Sequence, residues 1–193
     1  MMGLVTGGAS SGKSAYAEQL ACSLPGERFY LAAMKPFGEE GARRIARHRA
    51  LRAGKGFATI ECYEGLKTVT AELIVQAHPE DRPAATEDGC RTALLESLGN
   101  VVANALFADD GSIASYDEAL EAVLSGVRHV VGLFDNVVIV GDEVGADGLH
   151  YDETTETYIR LIGSASCAIA RECDLVVECV AAQPFVVKGV APL

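Results

Sequence analysis

The sequence predicts an α/β fold, a parallel central sheet with helices on both faces. Short apolar runs alternate with longer stretches of helical periodicity, and several of the apolar runs are Val/Leu/Ile-rich, as strands buried on both faces require. A glycine-rich turn joins the first run to the first helix, which is where an α/β sheet places its anion site.

Residues 1–6 form the first apolar run and 13–24 the first helical pattern. Strand-like runs follow at 28–33, 57–62, 92–96, 136–140 and 174–180, with a last one at 185–188. The helical patterns between them cover 39–52, 65–77, 98–107, 116–134 and 153–171. Two polar stretches, 79–90 and 109–115, carry the Pro, Gly, Asp and Ser of surface loops. With 193 residues, 49% hydrophobic and 22% charged, the chain suits one globular domain over 1–193.

The formal net charge of -11 argues against a general nucleic-acid binder, whose affinity comes from clustered Lys and Arg. Any anion site must be local. No stretch approaches the ~20 apolar residues that span a bilayer, and a cytoplasmic location is expected. Six cysteines (Cys22, Cys62, Cys90, Cys167, Cys173, Cys179) include no CxxC pair, which predicts reduced, mostly buried thiols. The six-residue step through Cys167, Cys173 and Cys179 matches no common metal-ligand spacing.

Gly7-Gly8-Ala9-Ser10-Ser11-Gly12-Lys13-Ser14 satisfies GxxxxGK[ST] between a strand and a helix, the phosphate-loop context. The glycines let successive N–H groups turn toward one anion. Lys13 would neutralise the β and γ phosphates, and the Ser14 hydroxyl would ligate Mg2+. An acidic partner for that metal belongs at the end of a neighbouring buried strand, where Glu96 and the pair Asp142 and Glu143 both stand.

Arg43, Arg44, Arg47, Arg49, Arg52 and Lys55 gather six of the sixteen basic residues in a segment free of Asp and Glu. On a helix, Arg44, His48 and Arg52 recur every fourth residue and share one face. Flanking cations favour the neutral imidazole, so His48 is a candidate nucleophile toward an α phosphorus, with arginines gripping the leaving pyrophosphate. His78, His129 and His150 lack such a setting and read as surface or packing residues.

The phosphate loop, the Arg-Ile-Ala-Arg-His-Arg run ending at Arg49 and the element order resemble the bifunctional adenosylcobinamide kinase / adenosylcobinamide-phosphate guanylyltransferase family. Ile60-Glu61, Leu94-Leu95-Glu96 with Asn104, Asp142-Glu143-Val144-Gly145, and Pro184 through Lys188 extend the similarity along the chain. The resemblance implies a RecA-like P-loop fold and a homotrimer. It also implies phosphorylation of adenosylcobinamide, then GMP transfer from GTP through a guanylylated His48. ATP is an alternative donor for the first step. Lys13 and His48 are then the catalytic pair, residues 7–14 with Arg49, Arg52, Glu61 and Glu96 bind nucleotide, and Ser14 with Glu96 holds Mg2+. The family's Asn ahead of Glu-Val-Gly is Asp142 here, and the pattern after Gly145 is replaced by 149–154. Two other readings fit the same loop: a single-activity kinase of another small alcohol, or a GTP-binding subunit without catalysis.

Overall fold

The computed structural model describes residues 1–36, 38–52, 54–77 and 89–193, with the side chains of 40, 42, 44, 47–49 and 51 outside that description. Its centre is a seven-stranded sheet in the order β3-β2-β4-β5-β1-β6-β7. The strands are β1 (Met2–Thr6), β2 (Glu27–Ala32), β3 (Phe57–Glu61), β4 (Arg91–Glu96), β5 (Asn136–Val140), β6 (Leu175–Val180) and β7 (Gln183–Lys188). All pairings are parallel except β6 with β7. The parallel pairs need crossovers, and these are the helices α1 (Lys13–Ser23), α2 (Gly38–Arg52), α3 (Ala71–Gln76), α4 (Leu98–Leu106), α5 (Tyr116–Val131) and α6 (Glu153–Glu172).

Side chains alternate across each strand, so both faces of the apolar runs are used. Leu4, Phe29, Leu31, Leu95 and Ile139 face one core with Leu98, Val123, Val127 and Leu161 from α4, α5 and α6. Val5, Tyr30, Leu94, Val138 and Val140 face the other, against Ala17, Leu20 and Ala21 of α1. Each fully buried Leu contributes about 2 kcal/mol by area. This layering is the predicted α/β fold, and it brings the carboxyl ends of β1, β2, β4 and β5 to one rim.

The continuous helix predicted over 65–77 is instead a 3-10 turn, Leu66–Thr68, followed by the short α3. Thr70 breaks it: its backbone is extended and its hydroxyl accepts the Leu73 N–H at 3.3 Å. A Thr side chain that offers the backbone this bond starts a new helix rather than continuing an old one. Of the two predicted loops, 79–88 lies outside the described residues, as does His78. The other, 109–115, is a turn closed by a bridge between Phe107 and Ile113, and Ser115 opens α5 with a capping box to Glu118.

His129 and His150 are placed as expected: His129 Nε2 lies 2.8 Å from the Val69 carbonyl, and His150 is exposed on a loop. All six cysteines are free, but only Cys62, Cys173 and Cys179 are buried. The expectation of mostly buried thiols holds for half of them. Burial pushes the Cys62 and Cys173 thiols up to about 12. Among the described residues, no helix is long and apolar enough to cross a membrane.

Candidate functional site

The loop after β1 closes tightly before α1 begins. Ser11 N–H donates to the Gly8 carbonyl at 3.2 Å, and Gly12 enters the helix in the left-handed region with no side chain capping it. An uncapped amino terminus leaves helix N–H groups and their partial positive charge for an anion. Ser11 is buried and its Oγ has no hydrogen-bond partner among the described residues. Gly7 makes the close approach possible, since a Cβ there would fall 2.5 Å from the Cys179 carbonyl oxygen and 2.6 Å from Ser11 Oγ. We therefore expect Gly7→Ala to cost at least ~2 kcal/mol of stability. A urea unfolding midpoint matching wild type would remove this account of the loop.

Beside the loop opens a cavity of about 760 Å³. Residues 9–14 form one wall, Tyr30, Thr59 and Tyr63 another, and Ile45 and Arg52 of α2 reach into it. The ends of β4 and β5 complete it with Glu96, Ser97, Asn100, Asp142 and Glu143, and Tyr158 enters from α6. A cavity of this size suits a small-molecule ligand of nucleotide dimensions.

Lys13 Nζ donates to the Gly8 carbonyl at 3.1 Å and lies 3.6 Å from Asp142 Oδ1. Asp142 Oδ2 accepts the Gly99 N–H at 3.0 Å. Glu96 is buried, and its Oε2 accepts the Tyr30 hydroxyl at 3.2 Å. Burial and the neighbouring Glu96 carboxylate raise the Tyr30 phenol well above its ordinary value, so it stays a donor. Burial, helped by Asp142, pushes Tyr158 up to about 12.

Arg52 is buried, with its guanidinium stacked 3.2 Å over the Tyr30 ring and Nη1 without a partner among the described residues. A buried guanidinium with an unused N–H is costly unless a further acceptor meets it. The basic island is not uniformly available. Arg43 pairs with Glu39 on its own helix, and Lys55 pairs with Glu18 of α1.

Several predicted positions thus converge on one cavity: Ala9, Ser10, Ser11, Gly12, Lys13, Ser14, Arg52, Glu96 and Asp142. Gly7 and Gly8 shape the loop behind it. Glu61 ends β3 on the same strand face as Thr59 but is not among the lining residues. His48 and Arg49 lie on helical backbone of α2, and their side chains are outside the described residues. Sequence reasoning missed Tyr30, Asn100 and Tyr158. Tyr30 sits inside an apolar strand and Tyr158 inside an amphipathic helix, where either reads as core.

Ser14 and Glu96 supply hard oxygen donors, which suit Mg2+. Among the described residues, no group of three or more His, Cys, Asp and Glu side chains is placed to hold a metal. That donor set fits a cation that keeps its waters and binds mainly through a ligand's phosphates, as Mg2+ does.

The family model described as cobinamide kinase / cobinamide phosphate guanyltransferase matches residues 3–187. The bifunctional adenosylcobalamin biosynthesis protein CobP of Pseudomonas aeruginosa is 30% identical over 189 residues, covering 98% of both chains. The bifunctional adenosylcobalamin biosynthesis protein CobU of Salmonella typhimurium is 38% identical over 183 residues, covering 90% of this chain and 92% of that protein. Among solved structures, an ATPase from the type III secretion system of pathogenic bacteria superposes with a TM-score of 0.54 at 10% identity. The superposition covers 92% of this chain, which spans 51% of the ATPase, and the likeness is one of P-loop fold alone. With a family match running almost end to end and two relatives aligned over nearly their full length, the chain belongs to the cobinamide kinase / cobinamide phosphate guanyltransferase family.

Proposed function

We propose that the chain phosphorylates adenosylcobinamide and then transfers GMP from GTP to adenosylcobinamide phosphate, giving adenosylcobinamide-GDP. The observation that carries this reading is the sharing of one cavity by the phosphate loop and α2, the helix on which His48 lies. A site with a phosphate grip on one wall and a nucleophile-bearing helix on another has the parts for both transfers.

In the first step Lys13 and the loop amides hold the β and γ phosphates, while Ser14 and Glu96 would hold Mg2+, which withdraws charge from the phosphates when bound. The substrate hydroxyl attacks the γ phosphorus, the bond to the bridging oxygen breaks, and the nucleoside diphosphate leaves. GTP is the expected donor, with ATP as the alternative. In the second step an imidazole nitrogen of His48 attacks the α phosphorus of GTP and pyrophosphate departs, with Arg49 and Arg52 on its charge. The phosphate of the corrinoid then takes the GMP and releases the imidazole. Glu61 and Glu96 complete the nucleotide contacts in this reading.

Incubation with α-labelled GTP is expected to leave an acid-labile label on the protein, discharged by adenosylcobinamide phosphate. An unlabelled protein that still phosphorylates a corrinoid would reduce the function to a kinase alone, and one that binds GTP without either reaction would reduce it to a binding subunit. The reading also includes a homotrimer. Phe185, Val186 and Val187 on the exposed edge strand β7 are apolar surface that association between copies would cover. Sedimentation at three times the 20.3 kDa chain mass is expected, and a monomer at working concentration would remove that part.

A further inference from the structure

Asp142 stands where β5 ends beside the phosphate loop, and its carboxylate is held from two directions. Oδ1 lies 3.6 Å from Lys13 Nζ, with the Lys13 and Asp142 side chains 13% and 24% exposed. Oδ2 accepts the Gly99 N–H at 3.0 Å, at the first turn of α4. The space behind it is filled: a Cβ on Gly99 would fall 2.6 Å from Asp142 Oδ2 and 3.2 Å from the Tyr158 hydroxyl oxygen. That hydroxyl is itself committed, donating to the Gly99 carbonyl at 3.2 Å. The carboxylate therefore cannot turn away from the cavity without giving up its backbone bond.

Asp142 and the incoming phosphates would draw on the same described cation. Among the described residues its ion-pair partner is Lys13, the same amine that the phosphates would use. Of the other carboxylates lining the cavity, Glu143 is exposed, and Glu96 differs in receiving the Tyr30 hydroxyl, with Arg52 stacked on that ring. An oxygen gripped by Lys13 must come within a few ångströms of this partly buried carboxylate. Like charges that close repel, and solvent ions screen a partly buried pair less than an exposed one.

We propose that Asp142 makes triphosphate binding conditional on a divalent cation, so that the site accepts the metal-complexed nucleotide and rejects the bare one. This rests on the reading that Lys13 grips the β and γ phosphates. Lys13 carries one positive charge to share between the carboxylate and the incoming tail. Arg52, the other described cation lining the cavity, is stacked on Tyr30 beside Glu96, so a cation arriving with the tail supplies the charge that Lys13 must otherwise divide. Asp142 is in this sense a specificity residue, selecting the form of the donor rather than its base.

Calorimetry tests it with two probes, GTP and inorganic triphosphate, each titrated with Mg2+ and with EDTA at fixed ionic strength. Asp142→Asn keeps an oxygen for the Gly99 N–H and removes the charge. It is expected to bind the cation-free probes at least ~10-fold tighter than wild type, while Mg2+-complexed affinities stay within about threefold. Asp142→Ala, which gives up the backbone bond as well, should share the cation-free gain if charge is the cause. Unchanged cation-free affinity in Asp142→Asn would overturn the proposal. Parallel weakening of both forms would also overturn it, by making Asp142 a prop for the Gly99 turn, as would weakening of the Mg2+ form alone, by making it a direct ligand. A wild-type protein that binds neither probe under either condition would remove the phosphate site itself, and this inference with it.

Discussion

Lys13→Ala is expected to lower the affinity for GTP by ~100-fold or more and to remove corrinoid phosphorylation to the limit of detection. The lysine amine is the cation that the described structure places at the mouth of the phosphate loop, 3.1 Å from the Gly8 carbonyl and 3.6 Å from Asp142. Charge-assisted contacts to phosphate are roughly twice as strong as neutral ones, and a developing charge on the transferring group adds to the loss. The substitution acts twice, because it also leaves Asp142 facing the cavity with no counter-charge. Breaking one half of a partly buried pair is costlier than never having it. Equilibrium binding and a single-turnover assay with the corrinoid separate the two effects. Near-wild-type affinity in Lys13→Ala would sink the assignment of this loop as the phosphate grip.

His48→Ala is expected to abolish the guanylylated protein while leaving corrinoid phosphorylation within about threefold of wild type. The label needs a nitrogen that forms a phosphorus–nitrogen bond, and alanine offers none. Phosphorylation passes the γ phosphorus directly to the acceptor and has no need of the imidazole. The two half-reactions therefore part in one variant, which a general loss of folding could not achieve. Acid-labile label persisting in His48→Ala would move the carrier to another residue. Loss of both half-reactions together would mean that α2 shapes the phosphate site as well.

The parts of the molecule legible in the sequence are those set by neighbours along the chain. The loop from Gly7 to Ser14 announces itself because its turn, its lysine and its flanking elements all lie within a short span. Strands such as Val137 to Val140 are legible because burial on both faces leaves no polar position. What stayed hidden depends on partners distant in sequence. Strand ends named Glu96 and Asp142 as candidates, but nothing local tells that β4 and β5 pair and set the two side by side. Tyr30 looks like core until Arg52 and Glu96 are seen around its ring and hydroxyl. The basic island shows the same limit. Composition counted Lys55 as available, whereas Glu18, buried on α1, had already engaged it.

The outermost hairpin has a part in events it never touches. Ala181 and Ala182 both turn in the left-handed region, at φ 48° and 61°, an arrangement that most alanines avoid. The Ala182 amide nevertheless donates to the Ser11 carbonyl at 2.9 Å, and a Cβ on Gly12 would meet its Cα at 3.0 Å. The curve of residues 11 and 12 is thus braced from outside, like an arch by its buttress. Trimming the chain before Ala181 would unsettle that curve, even though no trimmed side chain lines the cavity.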